Sequence, residues 1–102
     1  MIGITQLVER DHAHGIKVFT ATLLPYGGAD GFSESGEAIR VALNNWYRNG
    51  GVVDGVIDFD KAMRNSAKPS TLNPAYDSGD HLHPNDAGYE AMGNMIDVSL
   101  FQ

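Results

Sequence analysis

The sequence predicts an α/β fold of the doubly wound kind, and three observations carry the prediction. Helical and extended patterns alternate along the chain in the order helix, strand, helix, strand, helix. Ile16–Leu24, rich in β-branched and apolar residues, reads as a strand covered on both faces, as in a parallel sheet, and Val52–Val53 with Gly55–Ile57 as a short second strand. Glycine-rich stretches, Gly27–Gly31 and Asn49–Gly51, punctuate these segments as a surface loop and a helix end. The 102 residues allow one domain, with 42% apolar and 20% charged residues.

Residues 4–14 place Ile4, Leu7 and Val8 among charged positions and stop at Gly15, which reads as an amphipathic helix with a glycine end. The run Ile16–Leu24 follows as the first strand and Pro25 ends it. Gly27, Gly28, Asp30 and Gly31 mark a surface loop. Ser33 or Ser35 caps the second helix, and Glu34 and Glu37 lie in its first turn, where the dipole favours acids. Ile39, Ala42, Leu43 and Trp46 form its apolar stripe.

Asn49-Gly50-Gly51 closes that helix, and Val52–Ile57 supplies the second strand. One helical turn is expected over 59–64. Residues 65–79 show no period and read as a long loop. A last helix is expected from Asn85 to about Leu100, with Ala91, Met92, Met95, Ile96 and Ser99 on one face.

Charge and composition narrow the function classes. A net charge of −6 with seven scattered Lys and Arg argues against nucleic acid. No run approaches the roughly 18 apolar residues of a membrane span. Zero cysteines exclude a disulfide framework, a thiolate metal site and a cysteine nucleophile within these residues. Met1-Ile2-Gly3-Ile4 lacks the features of a signal peptide, so localisation stays open; a secreted parent would carry its signal upstream.

The chemistry concentrates in Ser78-Gly79-Asp80-His81-Leu82-His83-Pro84-Asn85-Asp86-Ala87-Gly88-Tyr89. A separation of three lets the Asp80 carboxylate meet one ring nitrogen of His83 across a turn, leaving the other nitrogen free to move protons. The structural alternative is a helix-entry loop in which Asp80 caps backbone amides. A third reading is metal binding: His81 and His83 point the same way in an extended segment, with Asp77 or Asp80 as carboxylate ligand. His12 and His14 suit the last turn of the first helix. Trp46 with Tyr47 suits core packing better than a ligand platform. Tyr26, Tyr76 and the Gly27–Phe32 loop are candidate cleft residues or plain surface. Asp54, Asp58 and Asp60 read as strand-end and turn residues.

Asp80-x-x-His83-Pro84-Asn85 followed by Ala87-Gly88-Tyr89 and an amphipathic helix resembles the last sequence block of the SGNH (GDSL-like) esterase and lipase superfamily. Gly15–Val18 with Thr22–Pro25 is similar to that family's fourth central strand, and Val56–Phe59 to its last. The resemblance implies the C-terminal half of a three-layer α/β/α, flavodoxin-like sheet domain, with residues 1–102 as a partial domain. It implies a serine acyl hydrolase acting on esters, with His83 as general base, Asp80 as third triad member and no cofactor.

The family's nucleophile stands in a Gly-Asp-Ser motif, and no Gly-Asp-Ser occurs in these 102 residues. Ser33, Ser35, Ser66, Ser70 and Ser78 match no nucleophile block. The isolated chain is therefore expected to be inactive, and a non-catalytic binding or assembly module is the alternative reading. Half of such a sheet leaves an apolar edge and helix faces uncovered, so a homo-oligomer or pairing with an N-terminal half is expected.

Overall fold

In the computed structural model, which describes residues 1–101, the first helix, α1 (Ile2–Ala13), ends where Gly15 takes φ +74°. Its one buried residue is Val8. His12 lies in the last turn and its Nε2 meets Asp54 Oδ2 at 2.7 Å. The same carboxylate oxygen accepts the Val18 amide at 2.6 Å, so Asp54 ties the end of α1 to the start of the sheet. Its role as a strand-end residue matches the sequence reading.

Two strands, β1 (Phe19–Ala21) and β2 (Gly55–Ile57), pair in parallel with Phe19 opposite Gly55 and Ala21 opposite Ile57. The first strand is much shorter than the apolar run 16–24. Its ladder forms against β2 alone, and Ile16 and Leu23 are exposed to solvent. Apolar patterning gives the run its capacity to form strand, and only its residues 19–21 find ladder partners. The Thr20 hydroxyl is buried without a hydrogen-bond partner among the described residues.

Helix α2 (Glu34–Asn49) starts at Ser33, whose Oγ accepts the Gly36 amide at 3.0 Å. The apolar stripe expected to be buried is not its inner face. Ile39 is 69% exposed and Ala42 is exposed, whereas Arg40 and Asn44 are buried. The helix turns its polar side inward because acids wait there. Asp60 lies in the short helix α3 (Phe59–Met63), whose N-cap is Asp58. Arg40 reaches Asp60 Oδ1 at 2.7 Å, and Arg48 and Arg64 reach Asp60 Oδ2 at 2.7 and 3.1 Å.

Arg48 also forks onto both oxygens of Asp58 at 2.7 Å each, and Arg40 forks onto Glu37 at 2.6 and 2.8 Å. Three guanidinium groups thus face three carboxylates, which balances the charge. Thr22 completes the group, donating to Asp58 Oδ1 and accepting the Asp60 amide. The Asn44 side chain bonds both backbone groups of Leu23 at 2.8 and 2.9 Å. Buried polar groups survive only when paired, and these are.

The stretch expected to be a featureless loop carries structure. Strands β3 (Arg64–Asn65) and β4 (Lys68–Leu72) pair as an antiparallel hairpin, followed by a 3-10 turn at Pro74–Tyr76. Short paired segments of two and five residues are too brief to show a period, so the pattern hides them. Helix α4 (Asp86–Met95) begins at the Asn85 cap as expected, but it stops at Ile96 and gives way to a 3-10 turn, Val98–Phe101. The Phe101 ring packs edge-on against Phe19 with centroids 5.4 Å apart.

Two predictions follow from the arginine–carboxylate group. Asp60→Ala removes one of the two carboxylates that hold the buried Arg40 and the shared partner of Arg48 and Arg64, and the expected loss is about 3 kcal/mol, read from the shift of a urea unfolding curve. A cost under 1 kcal/mol would show that solvent reaches the group.

The second concerns acid. Hydrogen bonds from Arg48 first, then from the Lys61 amide and Thr22, hold the Asp58 carboxyl at about 2, against the opposing effect of burial. A carboxyl depressed in the folded state stabilises fully above its unfolded pKa of about 3.9 and loses that contribution as pH falls toward the folded value. Unfolding midpoints in urea should fall as pH drops below about 4. Asp58→Asn should flatten that fall.

Candidate active site

The Asp80–His83 turn is assembled from the bottom up by the first turn of α4. Asn85 Oδ1 accepts the Gly88 amide at 2.8 Å and caps the helix. Its Nδ2 donates to the carbonyls of Ala75 and Asp77 at 3.0 and 3.3 Å, while its own amide donates to the Tyr76 carbonyl at 2.8 Å. One side chain therefore fixes both the helix start and the incoming chain. Gly88 is buried: a Cβ there would sit 2.8 Å from both Pro84 Cβ and the Tyr76 carbonyl, so only glycine permits this approach. The Ser78 amide donates to the His83 carbonyl at 3.1 Å and closes the loop that holds Asp80.

Within that loop His83 Nδ1 lies 2.7 Å from Asp80 Oδ2. Asp80 Oδ1 accepts the amides of Leu82 and His83 at 2.8 Å each and the Ser78 hydroxyl at 3.1 Å. These donors, the His83 ring first, hold the Asp80 carboxyl well below the usual carboxylate range. Asp80 therefore stays ionised near neutrality and takes the Nδ1 proton as its partner. That fixes the tautomer in which Nε2 carries the free lone pair. The His83 side chain is 64% exposed, and Nε2 has no hydrogen-bond partner among the described residues. Asp80 both bonds His83 and caps backbone amides, so the two sequence readings coexist in one carboxylate.

His81 does not share a site with His83. Its Nδ1 lies 2.6 Å from Asp77 Oδ2, and its backbone takes φ +63°. Each histidine has its own aspartate, and no group of three or more His, Asp or Glu among the described residues is placed to hold a metal ion. The spacing argument for a shared metal assumed an extended segment; the left-handed turn at His81 breaks that alternation. The Asp77–His81 pair was visible in the sequence only as a pool of ligands. Its i,i+4 spacing outside a helix gives no signal.

The loop after β1 lies beside this region, as open α/β folds place loops at strand ends. Gly28 (φ +89°) packs against the His81 ring, within 3.4 Å of where a Cβ would stand. Tyr26 turns away onto Phe32, with ring centroids 5.2 Å apart. Among the described residues no serine side chain hydrogen-bonds to His83; Ser33 Oγ and Ser35 Oγ meet each other and Ser78 Oγ serves Asp80.

Comparison with known proteins identifies the family and the fold. The family model of the GDSL-like lipase/acylhydrolase family matches residues 2–91. Among solved structures, an acylhydrolase candidate from Bacteroides fragilis aligns with a TM-score of 0.66 at 28% identity, covering 96% of this chain and 48% of that one. A GDSL-like lipase from Bacteroides thetaiotaomicron aligns with a TM-score of 0.71 at 24% identity, covering 96% of this chain and 49% of that one. The chain thus spans about half the length of each. No curated protein matches it. With the family model matching most of its length, the chain belongs to the GDSL-like lipase/acylhydrolase family, of the SGNH superfamily.

Proposed function

We propose that this chain is the acid–base half of a serine acyl hydrolase acting on esters. The observation that carries the reading is the Asp80–His83 pair, with Nδ1 held at 2.7 Å by an ionised carboxylate and Nε2 uncommitted. In that state Nε2 takes the proton of a serine hydroxyl as its Oγ attacks the ester carbonyl. Asp80 stabilises the imidazolium, Nε2 returns the proton to the leaving alcohol, and water then hydrolyses the acyl-enzyme by the same relay. The reaction calls for no cofactor. The serine and the oxyanion donors come from outside these residues, on a segment that completes the domain.

Shape supports an incomplete domain. The radius of gyration is 14.8 Å, against about 13 Å for a compact chain of 100 residues. Buried apolar residues are few, namely Val8, Ala29, Met63 and Leu72, while Ile2, Ile39, Val98 and Phe101 are each more than 60% exposed. A two-stranded sheet is marginal alone. Uncovered apolar surface of this kind is rarely left open on a soluble monomer.

The isolated chain should not hydrolyse a p-nitrophenyl ester. Turnover accompanied by labelling of one of its own serines with a phosphonate would overturn the reading. In the enzyme completed by a Gly-Asp-Ser segment, His83→Ala should lower kcat by on the order of 10³-fold or more with little change in substrate binding, and Asp80→Asn should be nearly as severe. Near-normal turnover for His83→Ala would move the general base elsewhere.

The isolated chain should also associate. Light scattering across a dilution series is expected to show a dimer or larger species, or precipitation that co-expression with the completing segment relieves. A monomer at every concentration would mean that these elements close a core of their own.

A further inference from the structure

His81 has no part in the relay at His83, yet the structure invests in it. Its φ of +63° is a conformation that a non-glycine side chain rarely adopts. Strain of this kind gathers at ligand clamps and functional sites when surrounding bonds hold it in place. Asp77 supplies those bonds: Oδ1 accepts the amides of Gly79 and His81 at 2.8 and 3.0 Å, and Oδ2 meets His81 Nδ1 at 2.6 Å. Gly28 buttresses the other side of the ring.

The ring so fixed stands between two adjoining cavities. One, of about 320 Å³, is walled by Gly28, Asn65, Lys68, Leu72, Asp77 and His81 among others. The second, of about 410 Å³, shares Gly28 and His81 with the first and is also lined by Asp30, Asp80 and Leu82. The first cavity therefore adjoins the space beside the carboxylate that holds His83.

Its free hydrogen-bonding groups can be counted. Asp77 is spent on three donors and has little left for a ligand. With its Nδ1 proton given to Asp77, His81 offers an acceptor at Nε2. Asn65 Oδ1 is taken by the Ala67 amide at 2.9 Å, which leaves its NH2 as a donor. Lys68 brings an ammonium donor, with no carboxylate ion-paired to it among the described residues. Leu72 is buried and gives the cavity an apolar wall. Thr71 Oγ1 donates to the Lys68 carbonyl at 2.8 Å and keeps lone pairs that accept. Two acceptors, two donors and an apolar wall fit a ligand that presents hydroxyls, which donate as well as accept, beside C–H surface. A simple carboxylate finds its donors on one side only and an acceptor lone pair at His81 Nε2.

We propose that the cavity between His81, Asn65 and Lys68 binds a polyhydroxylated group, the polyol or sugar alcohol part of the ester cleaved at His83. The substrate assignment rests on the acyl-hydrolase reading, but binding is testable without turnover. The probe is methyl α-glucopyranoside, titrated into the chain as it is, with propanol and acetate as separate arms. The His81 ring signals in the NMR spectrum are the readout.

The expected result is saturable movement of the His81 signals with the glycoside at millimolar concentration and none with propanol or acetate. His81→Asn suits the left-handed backbone and removes the Nε2 acceptor, and Asn65 amide signals should then report binding weakened about tenfold. Lys68→Met should weaken it to a similar degree, while His83→Ala should leave it unchanged. Response to acetate alone, to propanol equally, or to none of the three overturns the proposal. Loss of binding in His83→Ala would overturn it too, by placing the hydroxyl site at the reactive pair. Failure of the binding test leaves the His83 relay standing, and failure of that relay in the completed enzyme leaves the binding result intact.

Discussion

Asp60 is the residue on which the rest of this structure depends. Its carboxylate is only 4% exposed and faces Arg40, Arg48 and Arg64, drawn from α2 and from the start of the hairpin. Water is almost excluded from Asp60 and Arg40, whose lost solvation only their partners replace, while Arg48, Asp58 and Arg64 keep part of theirs. The pairing is dense enough to do so: two guanidinium forks, the Thr22 hydroxyl and the Leu23 carbonyl all lie within hydrogen-bond reach. An apolar core tolerates small slips between elements. A set of directed bonds at 2.6–3.1 Å does not, and it fixes α2, α3 and the end of β1 in one register.

That register passes to the candidate site through a short series of contacts. Asp60 sits in α3, and Met63 at the end of α3 is fully buried. The Met63 carbonyl accepts the Asn73 amide at 2.8 Å, and Met63 Cε lies 3.0 Å from where a Cβ on Gly88 would stand. Gly88 in turn lets α4 close on Pro84 and on the Tyr76 carbonyl. Asn85 stands at that junction, and Asp80 and His83 hang from it. The site turn is exposed, but it rests on buried residues, Met63, Pro84 and Gly88.

The sequence was most legible where chemistry is local. The Asn85 cap, the Ser33 cap, the Gly15 stop and the Asp80–His83 contact all lie within four residues of their partners, and all are present. Legibility failed where partners are distant. Nothing near Arg40 or Arg48 announces that Asp58 and Asp60 will meet them, so α2 was expected to bury Ile39 and it buries Arg40 instead. The hairpin of β3 and β4 escaped for another reason, since a two-residue strand carries no period. The run 16–24 overstated its strand because pattern reports how a segment is built to be covered, while the ladder reports which neighbour is there.

The exposure of the Asp80–His83 pair fits this last distinction. Asp80 owes its depressed pKa to directed donors, while its burial is slight. In water such a pair is oriented but poorly insulated, since solvent screens the carboxylate's attraction for an imidazolium. Preorganisation of the tautomer is thus a property of the local turn alone. The stabilisation of charge that a proton relay needs grows only when a covering segment excludes water from His83. The two requirements separate: Asp80, Ser78 and Asn85 supply orientation within the turn, whereas exclusion of water from His83 is not a property of so exposed a turn. On the proposed reading, a general base at His83 is aimed by its own turn and gains its strength only under cover.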